Sequence, residues 1–423
     1  MNQAQSYWED ELNRREAEAT RGRIVVPGPA EARNHRIILL ALAGLFLFQA
    51  LKLASNLPAD LRGAGNYSPF YRTGVMLRAG ERHNLYDPAL QRDWAARVLS
   101  NDPKLRGDYL YFYHLPYQAL FLLPFGFFSY RVSLILWMIA GVVATTWCAH
   151  VLRSDFPELR RFSGVPLVVI FLAFWAVAET LPEGQDTLFL FALLAFSFHE
   201  FVHHRDFSSG ALLGLGLFKF QYTIPIAATL LFRRRPKFVV GAATTGVLAL
   251  LLSWAVVGTF GMQQFAYVLL HHNTLPLANP ESGWPNLRGL VEAFTHSYSP
   301  VATVILSIAA MAWCAFGKPR GSAEEFSIAV TAGVLVSYHM HEYDLVLLLL
   351  PAIVLLEDAI RERSWLLAFF PLLLFFAPLE PVLRRLDLWY LYALPALGML
   401  FLLCRRSVMP PDTQHLEVQP STT

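Results

Sequence analysis

The chain has 423 residues, 55% of them hydrophobic, 14% aromatic and only 16% charged, with a mean hydropathy of +0.40. So little polar surface could not keep the chain in solution, and a net charge of +2 offers no broad basic face for a phosphate backbone. Disordered, fibrous and nucleic-acid-binding classes are thereby excluded, and the composition is that of a polytopic membrane protein.

In chain order, residues 1–35 are a polar tail in which Arg14, Arg15, Arg21, Arg23 and Arg33 alternate with acids. The first apolar run, Ile37 to Ala54, is about as long as a bilayer requires. It follows a charged tail and precedes no small-residue cleavage pattern, so it reads as an uncleaved anchor. Residues 55–115 are too long for a simple connection and too aromatic for a linker. Their helical alternation suggests short helices on the membrane surface, either a cap over the bundle or a lid carrying catalytic groups. Further apolar runs follow at 110–128, 132–151, 165–181, 187–201, 210–232 and 238–258, then at 300–316, 326–338, 345–356, 365–379 and 388–404. The expected fold is an all-α bundle of about 11–13 crossings over residues 36–406, with 407–423 a disordered tail. Cys148, Cys314 and Cys404 lie far apart in apolar runs, with neither a disulfide framework nor a zinc spacing.

Arg233-Arg234-Arg235-Pro236-Lys237, Lys318 with Arg320, Arg361 with Arg363, and Arg405-Arg406 fall on alternate loops, expected on the cytoplasmic side with the N-terminus. Arg384 and Arg385 break the rule. Lys219 stands in the middle of the run 210–232, where a charge costs about 2.5–3.5 kcal/mol on insertion scales. If that run crosses once, Gly184-Gln185-Asp186 is cytoplasmic. If it folds as two half-membrane helices meeting at Lys219, the tripeptide lies on the outer side. The second arrangement is the expectation.

Several polar residues need an explanation in so apolar a chain. His114 stands beside Pro116 where a run begins, and proline frees backbone carbonyls there. Glu179, Glu183, Gln185 and Asp186 crowd a break between two runs, either as a solvated turn or to hold a cation, a sugar hydroxyl or a proton. Lys219 and Gln221 suit pairing with a carboxylate or a bound phosphate. Arg288, in Pro285-Asn286-Leu287-Arg288-Gly289, is the lone cation of the loop 259–297; its planar fork suits a phosphate, or it anchors at lipid headgroups. Tyr338-His339-Met340-His341-Glu342-Tyr343-Asp344 interrupts two runs, and its alternating His339, His341 and Tyr343 suit sugar or proton handling better than a metal. No metal ligand set and no cofactor is expected.

The ordered set of landmarks, Leu85-Tyr86-Asp87-Pro88, His114-Leu115-Pro116-Tyr117, Gly184-Gln185-Asp186, Gly216-Leu217-Phe218-Lys219-Phe220-Gln221, Pro285-Asn286-Leu287-Arg288-Gly289 and Ser337 to Asp344, resembles glycosyltransferase family 87 over roughly residues 37–404. The resemblance implies a GT-C bundle with interfacial helices in its first outer loop. It also implies metal-independent, inverting transfer of a mannose-like hexose from a polyprenyl-phosphate donor to a lipid or glycan acceptor, on the extracytoplasmic face of the cell membrane. An acidic residue in the first outer loop is expected to be the base. At that position the chain has Asn66, in Asn66-Tyr67-Ser68-Pro69-Phe70-Tyr71, and an amide cannot accept the proton. Asp60 or Asp87 takes the role, or the pocket binds sugar without transferring it, or the substrate differs. Asp344 is a further candidate base. Asn66, Tyr71, His114, Gln185, Asp186, Lys219, Gln221, Asn286, Arg288, His339, His341 and Tyr343 are candidate substrate contacts. The competing reading is a transporter or flippase of a lipid-linked sugar.

Overall fold

The structure, a computed structural model, describes residues 29–63, 65–98, 110–162, 164–271, 284–297, 299–317, 321–376 and 379–406. The tail up to residue 28, the tail 407–423, His272 with Asn273, and Lys318 with Arg320 lie outside them. The chain divides into two units, Met1–Gly44 and Leu45–Thr423. The described part of the first is the beginning of one helix; the site and its scaffold belong to the second.

In chain order the helices are α1 (Pro29–Asp60), α2 (Ser68–Arg78), α3 (Pro88–Val98), α4 (Pro116–Leu122), α5 (Tyr130–Asp155), α6 (Val165–Leu172) and α7 (Trp175–Thr180). Then come α8 (Thr187–Val202), α9 (Asp206–Gly214), α10 (Phe220–Phe232), α11 (Pro236–His271), α12 (Leu287–Thr295) and α13 (Pro300–Phe316). The last are α14 (Ser322–Val336), α15 (Leu349–Glu362), α16 (Trp365–Phe375), α17 (Leu379–Leu386) and α18 (Ala393–Arg406). No strand occurs among the described residues. By length and composition four helical stretches can cross a membrane, or five if the bent pair α16–α17 is one span, beside three shorter apolar helices. The fold is an all-α polytopic membrane protein. Its three cysteines are buried and form no disulfide.

The first loop is built as short helices. Pro69 and Pro88 stand in the first turns of α2 and α3, where a missing N–H costs nothing. Residues Ser68 to Met76 of α2 are all buried. That burial includes Arg72, whose guanidinium donates to Gln91 Oε1 (2.9 Å) and to the Leu110 carbonyl (2.6 Å). The apolar run 110–128, expected as a crossing, forms no single long helix. Pro116 and Pro124 divide it into an extended lead-in, the seven-residue α4 and a 3₁₀ turn (Leu123–Phe127). Gly74 of α2 and Gly126 of that turn cross so closely that a Cβ on Gly126 would strike the Gly74 backbone, and one on Gly74 the Leu122 carbonyl.

Long-range contacts define two ends of the bundle. At the basic end, Arg233 lies 3.3 Å from Glu325, the Glu158 amide donates to Glu357 (2.9 Å), and Asp155 lies 3.0 Å from His199. At the opposite end His83 meets the Val257 carbonyl (2.8 Å) and Asn286 donates to the Ser337 carbonyl (2.6 Å).

Asp206 and Arg235 are 3.4 Å apart at the basic end. A straight helix over Asp206–Phe232 would hold its two ends about 40 Å apart at 1.5 Å per residue. The segment is long and apolar enough for a crossing, yet it leaves and returns to one end. Helix α9 rises, the 3₁₀ turn Leu215–Lys219 reverses the chain, and α10 descends. This is the arrangement of two half-length helices with Lys219 at the apex.

Candidate active site

The hairpin apex delivers Lys219 into the interior, 3% exposed. A bare ammonium there is costly, and two carboxylates compensate it. Nζ donates to Asp344 Oδ1 at 2.8 Å and lies 3.3 Å from Asp186 Oδ1. Asp186 is the N-cap of α8, and Asp344 stands in the 3₁₀ segment Glu342–Leu348 before α15. Asp344 also accepts from Thr187 Oγ1 (2.5 Å), Tyr222 OH (2.8 Å) and the His341 amide (3.1 Å). Asp186 Oδ2 accepts from Gln118 Nε2 (2.5 Å) and lies 3.0 Å from His114 Nδ1. Burial alone would raise the Asp186 carboxyl, but Lys219 and His114 outweigh it and hold it below the usual carboxylate range. With its partners taken, Lys219 is a keystone joining α8, the hairpin and the Asp344 segment.

A second group of charges gathers beside it. Lys52 of α1 bridges Glu179 of α7 and Glu380 of α17, at 2.7 Å each. Arg384 pairs with Glu179, with Glu380 (2.8 Å) and with Glu342 (3.8 Å). These pairs account for the Arg384 exception to the charge rule: three carboxylates hold it. Asp60 and Glu183 stand close enough to repel Glu179 and have no ion pair of their own among the described residues. Glu183 Oε2 accepts from the Asn66 amide (3.2 Å), so the backbone of the position occupied by an amide side chain holds a carboxylate from another element. Burial, and next the charge of Glu179, raises Glu183 to about 7. Gly184 follows it at φ +62°, against the Tyr67 side chain. A cavity of about 660 Å³ opens alongside, lined by Phe48, Leu51, Lys52, Arg384 and Arg385 among others.

An aromatic row continues from here. The Tyr343 ring lies 5.6 Å from Lys219 Nζ and stacks on His341 (5.0 Å). His341 meets His339 (4.9 Å), and both imidazoles face Trp284, at 5.6 and 4.8 Å. Arg288 lies over the same indole (4.5 Å), bound to Glu292 (2.8 Å) and the Tyr338 carbonyl (3.0 Å). Asn286 caps α12 through Gly289 N–H (3.1 Å).

His114, Asp186, Lys219, Asp344, Tyr343, His341, His339 and Arg288 thus form one connected set. Asp60 and Asn66 adjoin it through Glu179 and Glu183. Gln185 is buried in the turn between Glu183 and Asp186, and Gln221 is partly buried two residues beyond Lys219. Two candidates make local contacts outside that set. Asp87 caps α3, accepting from Ala89 N (2.8 Å) and Leu90 N (3.2 Å). Tyr71 donates to the Phe128 carbonyl (2.9 Å) and packs edge-on against Tyr130. Gln118, Thr187, Tyr222 and Glu380 carry no sequence signal that separates them from ordinary polar residues, whereas Lys52 is marked by its place in the first apolar run. Glu179 and Glu183 were marked only by their crowding at a break.

No curated protein and no solved structure matches the chain. The family model of glycosyltransferase family 87 matches residues 112–340, more than half of the sequence, and takes in His114, Asp186, Lys219, Arg288 and His339. A membrane-spanning helical bundle with its buried polar groups collected around those residues is in keeping with that match, and the chain belongs to glycosyltransferase family 87.

Proposed function

We propose that this membrane glycosyltransferase moves a mannose-like hexose from a polyprenyl-phosphate donor to a hydroxyl of a lipid or glycan acceptor. The reaction takes place at the end of the bundle that holds Lys219, on the extracytoplasmic face of the cell membrane, with the N-terminus cytoplasmic. The observation that carries the reading is the unbroken row from Arg288 through Trp284, His339, His341 and Tyr343 to the carboxylates around Glu183.

In this reading Arg288, with the two imidazoles, receives the donor phosphate, because a guanidinium fork meets phosphate oxygens two at a time. The aromatic faces stack on the sugar. The apolar wall of the cavity at Phe48 and Leu51 takes the prenyl chain. Glu183, partly exposed, accepts in its ionised form the acceptor hydroxyl proton as the hydroxyl oxygen bonds to the anomeric carbon. The bond from that carbon to the phosphate oxygen breaks, and polyprenyl phosphate leaves with the electron pair. One displacement inverts the anomeric centre, and Arg288 with the two imidazoles, in place of a metal, meets the second negative charge that the phosphate gains as it leaves. Asp60 is the alternative base. Lys219, Asp186 and Asp344 hold the floor of the site.

The test is purified protein in liposomes, given radiolabelled polyprenyl-phosphate sugars and membrane extract. Labelled acceptor that disappears in Arg288→Ala supports the reading. Wild-type turnover by that variant removes Arg288 from it. The hairpin with a charge at its apex is also a transporter trait; uptake of label into proteoliposomes without covalent product would favour a flippase instead.

A further inference from the structure

At the basic end, α5 and α8 finish side by side, and their last turns bring together Asp155, His199 and His203. One ligand atom from each lies within 4.8 Å of the others. His199 and His203 are one helical turn apart, so both rings leave the same face of α8, with centroids 4.4 Å apart. Asp155 comes from 44 residues earlier, and its two carboxylate oxygens lie 3.0 and 3.1 Å from His199 Nδ1.

Three features make this an arrangement for a cation. The Asp155 side chain is 4% exposed, and a buried carboxylate requires compensation. Its ionisable partners among the described residues are the two imidazoles. Two helix C-termini converge here, and the unpaired carbonyls of each favour positive charge. Finally, His203 Nδ1 donates to the His199 carbonyl (2.7 Å). A carbonyl only accepts, so this bond fixes the proton on Nδ1 and leaves Nε2 with its lone pair, as the outer hydrogen bond of a metal-ligating histidine does.

We propose that Asp155, His199 and His203 bind a divalent transition ion of the zinc class, with water in the remaining position. Two imidazoles and one carboxylate match the borderline preference of zinc, and the 3.0 Å between Asp155 and His199 needs to open only to about 3.4 Å for two ligands each about 2.1 Å from one tetrahedral ion. The site is separate from the transfer chemistry: His199 stands thirteen positions beyond Asp186 along α8, about 20 Å of helix. The ion clamps the end of α5 to the end of α8, the helix whose other end begins at Asp186.

The experiment uses full-length, untagged protein in detergent, stripped with chelator and titrated with Co²⁺, then Zn²⁺. The expected result is one equivalent of Co²⁺ with visible absorption bands, displaced by Zn²⁺, and a rise in Tm with Zn²⁺. His203→Gln, at an exposed position, should fold and lose at least tenfold in affinity. Asp155→Asn with His199→Gln should lose the equivalent entirely. If wild type takes up no Co²⁺, or if the double variant keeps the same equivalent and the same Tm rise, the site does not exist. Either outcome leaves sugar transfer at the other end untouched.

Discussion

Lys219 Nζ lies 2.8 Å from Asp344 Oδ1, though 125 residues of sequence separate them. With Asp186 at 3.3 Å on the other side, one ammonium is shared by two buried carboxylates. Removing it leaves Asp186 to His114 and Gln118 and Asp344 to its hydrogen-bond donors, a loss of about 3–5 kcal/mol for a broken buried ion pair. Lys219→Met is therefore expected to lower folded yield and Tm in detergent. Lys219→Met with Asp344→Asn should recover part of the loss. Equal Tm for wild type and Lys219→Met would mean that the network is not structural.

Glu183→Gln removes the proposed base while keeping its size. Turnover should fall by roughly 10²–10⁴-fold with KM for the donor little changed. Burial first, and Glu179 second, raises Glu183 to about 7, and a base works only when ionised. Wild-type kcat should thus rise with pH through about 7, and that limb should vanish in the variant. The same shift acts on stability with a definite sign. The folded chain holds this proton more tightly than the unfolded chain does, so the contribution is full at low pH. It is lost as pH climbs from the ordinary carboxylate range to about 7. If Asp60→Asn instead abolishes transfer and Glu183→Gln does not, the base is Asp60.

Arg288 rests over Trp284 and is bound to Glu292 and the Tyr338 carbonyl. Arg288→Lys keeps the charge but not the planar fork. Donor KM should rise in Arg288→Lys and rise further in Arg288→Ala, with the Tm of both near wild type. A Lys variant indistinguishable from wild type would reduce the role to simple charge.

Gly184 sits at φ +62° with Tyr67 against it. Gly184→Ala forces a Cβ into both the left-handed region and that ring. A cost of about 1–3 kcal/mol is expected, read as a drop in Tm and in activity, since the turn carries Glu183 and Gln185. An unchanged Tm would show that the turn relaxes freely.

The part of the site legible in the sequence was the part that violates hydropathy. His114, Asp186, Lys219 and Asp344 stand out because a charge amid apolar residues must be compensated, and the structure joins all four. Glu183 and Arg384 lacked that contrast, lying where polar residues are ordinary; Lys52 stands near the end of the first apolar run, but only folding brings α1 to its partners on α7 and α17. Arg384 even read as an exception, because its carboxylate partners are up to 205 residues away. The run 110–128 misled because hydropathy averages ignore Pro116 and Pro124, which decide that the segment folds as short turns. Asp155 and His199 escaped notice for the same reason as Arg384: their pairing is tertiary.

The return of the chain between Asp206 and Arg235 bears on any map of which side each loop faces. A greasy stretch that doubles back contributes an even count, whereas a window of bilayer length scores it as odd. Reporter fusions interpreted with the odd tally would invert every assignment beyond Phe232, and with it the compartment from which the sugar donor is drawn.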